Sequence, residues 1–263
     1  MDLEKGSNQL GVCDYFDNPI NNKTALKCYG DINNIDYSGF DSDLNKYLNE
    51  KSISEMIKIN SEIERILSKF KISIKINMNI LHNLVQNHLP HTKNIAIGIA
   101  KNLSKERQKQ VNQQALAQAT SLHDIAKVII PEGIVNKAGA LTNDEREIMH
   151  EHARLSYEML KTTDLNKETL DLIKNHHNSC NSDINLQILS ISDIYSALRE
   201  KRSYKNEMTK EEALDILNKE TQRGKFHQDV FEALVKYANK EDSNNINSKR
   251  QVFNLKPVNS FCS

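Results

Sequence analysis

Around residues 115–126 a helical apolar pattern (Ala115, Leu116, Ala119, Leu122, Ile125, Ala126) surrounds three polar side chains that packing alone does not explain: His123, Asp124 and Lys127. Lys127 follows Asp124 by three residues and His123 by four, so in a helix all three reach roughly one side. An imidazole nitrogen beside a carboxylate is a metal-ligating pair, and the carboxylate has two oxygens with which to bridge two ions. Charge buried in such surroundings is costly unless it is paired or bound to metal. The rest of the chain offers further ligands of the same kind: His91, His152, the adjacent His176 and His177, and Asp193. Each falls on a different predicted helix apart from the adjacent pairs. Taken singly, any of these histidines is ordinary; the ordered series argues for a metal site.

The elements that must position them are helical. Met56, Ile59, Ile63, Ile66, Leu67 and Phe70 recur at helical spacing, which predicts one helix of about four turns from Ser52. Residues 71–78 alternate apolar and polar and read as a short strand or extended connector. From Asn79 nearly everything reads as helix. One helix begins with Ile80, Leu81, Leu84 and Val85 and is punctuated by Pro90. Another starts at His91, and a third runs from Lys105 to Val128 with the His-Asp pair inside it. Thr142 with Glu145, and Thr209 with Glu212, have the spacing of capping boxes. Further helices are predicted from about Asn166 to His177, from Leu186 to Arg199, and around Val230 to Tyr237. The fold class is all-α.

Composition excludes several functions. Lys plus Arg and Asp plus Glu total 35 each, so no bulk positive charge calls for a nucleic-acid polymer as partner. No apolar run approaches the roughly 18 residues of a membrane span, and Met1 to Gly6 lacks the basic-then-apolar pattern of a signal peptide. Cys13, Cys28, Cys180 and Cys262 are scattered, which fits neither a zinc knot nor a disulfide framework. A reduced, cytoplasmic protein is the simplest expectation.

The motif series resembles the HD superfamily of metal-dependent phosphohydrolases, and within it the HD-GYP group that hydrolyses cyclic di-GMP. The resemblance rests on Leu122 to Lys127, then Ile129 to Pro131, Ile134 to Lys137, Leu141 with Thr142 and Glu145, and His152. It continues through His176 and His177, the run from Ile188 through Asp193 to Leu198, and Arg202, Tyr204 and Lys205. It covers roughly residues 80 to 238 and implies an HD-domain helical bundle. The expected organisation is a loosely structured leader (1–50), a helix and extended connector (51–78), the phosphohydrolase domain (79–238) and a disordered tail (239–263).

The resemblance also implies roles. His91, His123, Asp124 and Asp193 match the ligands of one metal, with Asp124 bridging to a second held by His152, His176 and His177. The spacing selects His152 over His150; His82, His88, His150 and His227 are assigned structural or surface roles. Two divalent transition metal ions, iron or manganese, are the implied cofactors, activating a bridging hydroxide against a phosphodiester. Lys127 matches a lysine near the scissile phosphate, and Arg202 and Lys205 match basic residues that contact the dinucleotide.

Three departures bear on the substrate and the metals. The tripeptide that names the group is absent, and only residues 178–185 stand where the group has a longer loop. A carboxylate that some members place one turn before the first histidine is here Asn87, which favours two metals over three. Ser196 replaces a second acid commonly seen after Asp193. The expected function is hydrolysis of cyclic di-GMP or a related cyclic dinucleotide. Another nucleotide or phosphoester, or a non-catalytic signalling module, is the alternative. A protein partner or dimer through the N-terminal segment stays open.

Overall fold

The computed structural model describes residues 44–178, 183–200 and 207–240, and every regular element among them is helical. The leader up to residue 43 and the tail from residue 241 lie outside the described residues, as do Arg202, Tyr204 and Lys205.

The first pair of helices, α1 (Glu50–Lys58) and α2 (Ser61–Ser68), stands where the periodicity suggests one longer helix. The break falls at Ile59 and Asn60, and Asn60 is its cause. Its Oδ1 accepts the Glu62 N–H at 3.0 Å and caps α2. Its Nδ2 donates to the backbone carbonyl of Glu158 at 2.6 Å and to that residue's carboxylate at 2.9 Å. A buried amide satisfied on both ends stabilises the bend more than one further helical hydrogen bond would. Ile59 is expelled to the surface, 65% exposed. After a turn at Lys71, residues 72–77 are an extended connector without a strand partner: Ile72, Ile74 and Ile76 pack against the core while Ser73 and Lys75 face solvent.

Next comes a long rod, α3 (Met78–Asn83), a π-turn (Leu84–His88) and α4 (Leu89–Asn102). Pro90 does not punctuate it. The turn before the proline widens, with the Leu89 N–H bonded to the Leu84 carbonyl, and this accommodates a ring that would clash in an ordinary α-turn. The predicted run from Lys105 to Val128 is likewise three pieces: α5 (Lys105–Gln108), α6 (Gln113–Leu122) and a 3-10 turn (Ile125–Ile129). His123 and Asp124 occupy the joint between the last two.

After α7 (Glu132–Val135) come α8 (Asn143–His150) and α9 (His152–Leu160). They are followed by α10 (Lys167–Asn175), α11 (Ile184–Arg199), α12 (Lys210–Gln222) and α13 (228–240). Both capping boxes form as expected, at α8 and α12.

Helix α11 is the axis of the bundle. Every residue from Ile184 to Leu198 is buried, Asn185, Gln187, Ser190, Ser192, Asp193 and Ser196 among them. It packs on α4, α12, α6 and α10, while α4 and α10 both lie against α6. The buried side chains of α1 and α2 belong to the same continuous core as those of α3 to α13. Gly98 on α4 is required by close approach: a Cβ there would lie 2.0 Å from the Tyr237 ring of α13. Gly98→Ala is therefore expected to displace that ring and cost about 1–3 kcal/mol, measurable as a lower midpoint in urea unfolding.

Candidate metal centre

Two groups of ligand-type side chains meet at the end of α6. The first comprises His88 from the π-turn, His123 and Asp124 from the α6 joint, and Asp193 from α11, all buried. His88 Nε2 lies 3.2 Å from Asp124 Oδ2 and 3.1 Å from Asp193 Oδ1. His123 Nε2 lies 3.6 and 3.5 Å from the same two oxygens. The second group is His152 at the start of α9 with His176 and His177 at the end of α10. Their Nε2 atoms crowd together, with His152 at 3.2 Å from His176 and 2.9 Å from His177. Asp124 joins the groups, because its other oxygen, Oδ1, is 3.1 Å from His152 Nε2.

The backbone sets this convergence. Asp124 sits at φ −103°, ψ 5°, a sparsely populated conformation common in active sites, and it turns the chain from α6 into the 3-10 helix. His123, His152 and His176 place Nδ1 on the carbonyls of Thr120 (3.1 Å), Met149 (2.5 Å) and Ile173 (2.7 Å). A proton on each Nδ1, assigned from these bonds, leaves each Nε2 as a lone pair pointing inward. The 3-10 turn is held to α9 by the Ala126 N–H donating to Ser156 Oγ at 3.1 Å. The Ser190 hydroxyl donates to the His176 carbonyl.

Lone pairs facing one another in a buried space repel unless an electrophile lies between them. His123 Nε2 and Asp124 Oδ1 are buried without a hydrogen bond, which asks for an ion or water to complete them. Burial and the adjacent histidines hold the His176 imidazole well below its ordinary range. Desolvation of the inward part of an otherwise exposed His177 ring, together with His152, lowers that group to about 3. Burial alone would raise Asp124, but Lys127 and His123 outweigh it and hold the carboxyl well below the usual range. Burial is outweighed at Asp193 too, by His123 and His88. Neutral imidazoles, as at His176 and His177, and ionised carboxylates are the metal-ready forms. At His88 burial is outweighed by Asp124, Asp193 and Glu200, which raise that group well above its usual range in the metal-free protein. A nitrogen and oxygen donor set suits divalent transition metals. The residues fit the ions that the sequence implies.

Lys127 Nζ donates to Asp124 Oδ2 at 2.6 Å from the first turn after the joint. His91 is not in either group. It is half-buried on α4 with Nδ1 3.1 Å from Ser196 Oγ, and His88 stands in the first group where the sequence suggested His91 and gave His88 a structural role. His88 closes the wide turn just before Leu89 and Pro90, and from there its Nε2 faces Asp124. A proline inside an apolar helical pattern was the signal available for such a wide turn. His82, His150 and His227 are in neither group. Asn87 faces outward and bonds Asn83. Glu200, unremarked in the sequence, meets His88 Nδ1 at 2.7 Å.

A family model described as the HD domain matches residues 75–230, more than half of the chain. The chain belongs to the HD-domain family. The chain is 26% identical over 159 residues to a 3'3'-cGAMP-specific phosphodiesterase of Vibrio cholerae, covering 56% of this chain and 37% of that protein. It is 29% identical over 133 residues to the cyclic di-GMP phosphodiesterase response regulator RpfG of Xanthomonas campestris (45% and 35%). It is also 29% identical over 133 residues to a cyclic di-GMP phosphodiesterase of Thermotoga maritima (45% and 36%). The chain thus spans little more than a third of the length of these relatives. Among the described residues, no helix is long and apolar enough to cross a membrane.

One prediction tests the geometry without a metal. The His177 ring of the metal-free protein should stay neutral well below pH 6.5 and take its proton near pH 3, as imidazole NMR would report. Because its folded pKa is depressed, the unfolded chain binds the proton first. This group therefore withdraws stability as pH falls from about 6.5 toward 3.

Proposed function

We propose that this HD-domain chain is a metal-dependent phosphodiesterase that linearises cyclic di-GMP or a related cyclic dinucleotide. One observation carries the reading: two ligand groups, buried except for His177, share the Asp124 carboxylate, with the Lys127 ammonium bonded to the same group. The names of the relatives support the substrate class. Residues 79–238 form the catalytic domain in this reading, with 51–78 as its accessory and the N-terminal segment as the contact for a partner or second copy. A cytoplasmic setting belongs to the same proposal.

His88, His123, Asp124 and Asp193 would hold one divalent ion, and Asp124, His152, His176 and His177 the other, iron or manganese. When bound, such a pair supplies an activated water and Lewis-acid polarisation of a phosphodiester. The protein groups do the rest. Asp124 presents one oxygen to each ligand group and would so fix the spacing of the two sites. The buried walls exclude bulk water, so a charge placed at the mouth acts at low dielectric. Lys127, part-exposed beside Asp124, is positioned to neutralise the developing charge on a phosphoryl oxygen or to protonate the departing alkoxide. Arg202 and Lys205 are kept as contacts for the dinucleotide's phosphates.

The short segment between His177 and α11 favours a second reading, in which the same centre takes another nucleotide or phosphoester. A substrate panel with Mn2+ or Fe2+ under reducing conditions separates the two. Turnover of cyclic dinucleotides alone supports the first, and turnover only of other esters supports the second. Asp124→Ala should abolish activity and metal binding together. Lys127→Ala should lower kcat by about 10²–10³-fold while metal content is retained. No turnover of any ester by protein carrying both metals would defeat the proposal.

His88 and His91 are also separable. Elemental analysis of His88→Ala should show the first ion lost, and His91→Ala should keep most of it; the reverse result would restore His91 to the ligand set.

A further inference from the structure

Helix α11 ends one turn after Ser196, at Glu200, whose N–H closes on the Ser196 carbonyl at 2.9 Å. That cap puts the Glu200 carboxylate beside the π-turn rather than in solvent; its side chain keeps 18% of its exposure. Oε1 accepts from His88 Nδ1 at 2.7 Å and from the Ser196 hydroxyl at 2.9 Å. The Ser196 hydroxyl has one proton, which this bond uses, so its oxygen is left to accept from His91 Nδ1 at 3.1 Å. His88 and His91 are thereby sorted. His88 is tied to the carboxylate and turns Nε2 toward Asp124 and Asp193, whereas His91 is tied to the hydroxyl.

His88 also differs from its neighbours in how its ring is held. His123, His152 and His176 put Nδ1 on a carbonyl of their own helix, which fixes a ring through the backbone that carries it. The ring of His88 depends instead on an acid from α11. A carboxylate on the far nitrogen fixes the tautomer and orientation of a ligating imidazole and raises its basicity, and loss of such a partner typically weakens metal binding 10–100-fold.

We propose that Glu200 is a positioning residue of the metal centre: its carboxylate aims His88 Nε2 at Asp124 and Asp193. It thereby serves, one turn later on the same helix, where the sequence has Ser196 in place of the acid its relatives' pattern implies. The inference rests on the metal-centre reading above. It adds that the first site of this chain is built by a pair, His88 with Glu200, supplied by two different helices.

The test measures Mn2+ affinity of the metal-stripped full chain by calorimetric titration, in the wild type, Glu200→Gln, His88→Ala and the double variant. Glu200→Gln keeps size and removes charge, and it should weaken the first site by about 10–100-fold. In the His88→Ala background the same change should add nothing, because Glu200 acts through that ring. Imidazole NMR of the metal-free proteins supplies a second readout. The wild type should show a hydrogen-bonded His88 Nδ1 proton, and Glu200→Gln should shift it without moving the Nδ1 signals of His123 or His176.

Affinity within twofold of wild type, or an equal loss with and without His88, would overturn the inference while leaving two metals in place. Failure of the wild-type chain to bind Mn2+ would overturn the metal-centre reading and this inference with it. Should His88→Ala fail to fold, an unshifted His88 signal in Glu200→Gln still decides against the proposal.

Discussion

A fully buried carboxylate has to be accounted for by everything around it, and Asp124 is such a group. Taking an ionised acid out of water costs several kcal/mol unless other charges answer it. Here Lys127, one turn on, supplies an answering charge, while an imidazole from the rod and one from α9 face the two carboxylate oxygens. None of these elements is free to choose another position without leaving the charge uncompensated. The joint between α6 and the 3-10 turn, the inward aim of His152 and the bend at the head of α4 are all consistent with this one demand. Because each oxygen of Asp124 faces a different ligand group, the two groups are also fixed relative to each other.

The bundle meets that demand by placing polar groups on its least exposed helix. Along α11 the apolar residues pack outward against α4, α6, α10 and α12. Ser190, Asp193 and Ser196 use the remaining face to reach His176, the first ligand group and the rod respectively. Each is satisfied by a partner, which lets a core helix carry hydroxyls and an acid without loss of the fold. The accessory helices are fastened on the other side, where Asn60 bonds Glu158 of α9 and Arg154 of α9 reaches Glu62 on α2. The helix that begins with His152 thus carries a ligand at one end and the N-terminal pair along its flank.

What could be read in the sequence was what depends on local chemistry. The capping boxes at Thr142 and Thr209 need only four consecutive residues, and both form. The apolar stripes announced the helices, and the ordered histidines and acids announced the family. What could not be read were the places where a distant contact outbids helical continuation. Asn60 breaks a periodic helix for a bond to Glu158, 98 residues away. His123 and Asp124 leave the helical path although Leu122 and Ile125 keep its rhythm. The choice between His88 and His91 is the sharpest case. Both lie on one face of a regular helix, and only the backbone distortion before Pro90 separates them.

That distortion has a consequence for how such a centre can change. A helix advances about 100° per residue, so one residue more or less in the turn ahead of Pro90 would swing His88 by that angle, away from Asp124 and Asp193. Such a swing leaves every ligand codon untouched. A shift of backbone register in the rod would therefore be a discrete adjustment of the candidate metal centre, made by the spine of the helix and not by its side chains. The wide turn at residues 84–88 works as an indexing notch, and the chain as folded is set at His88.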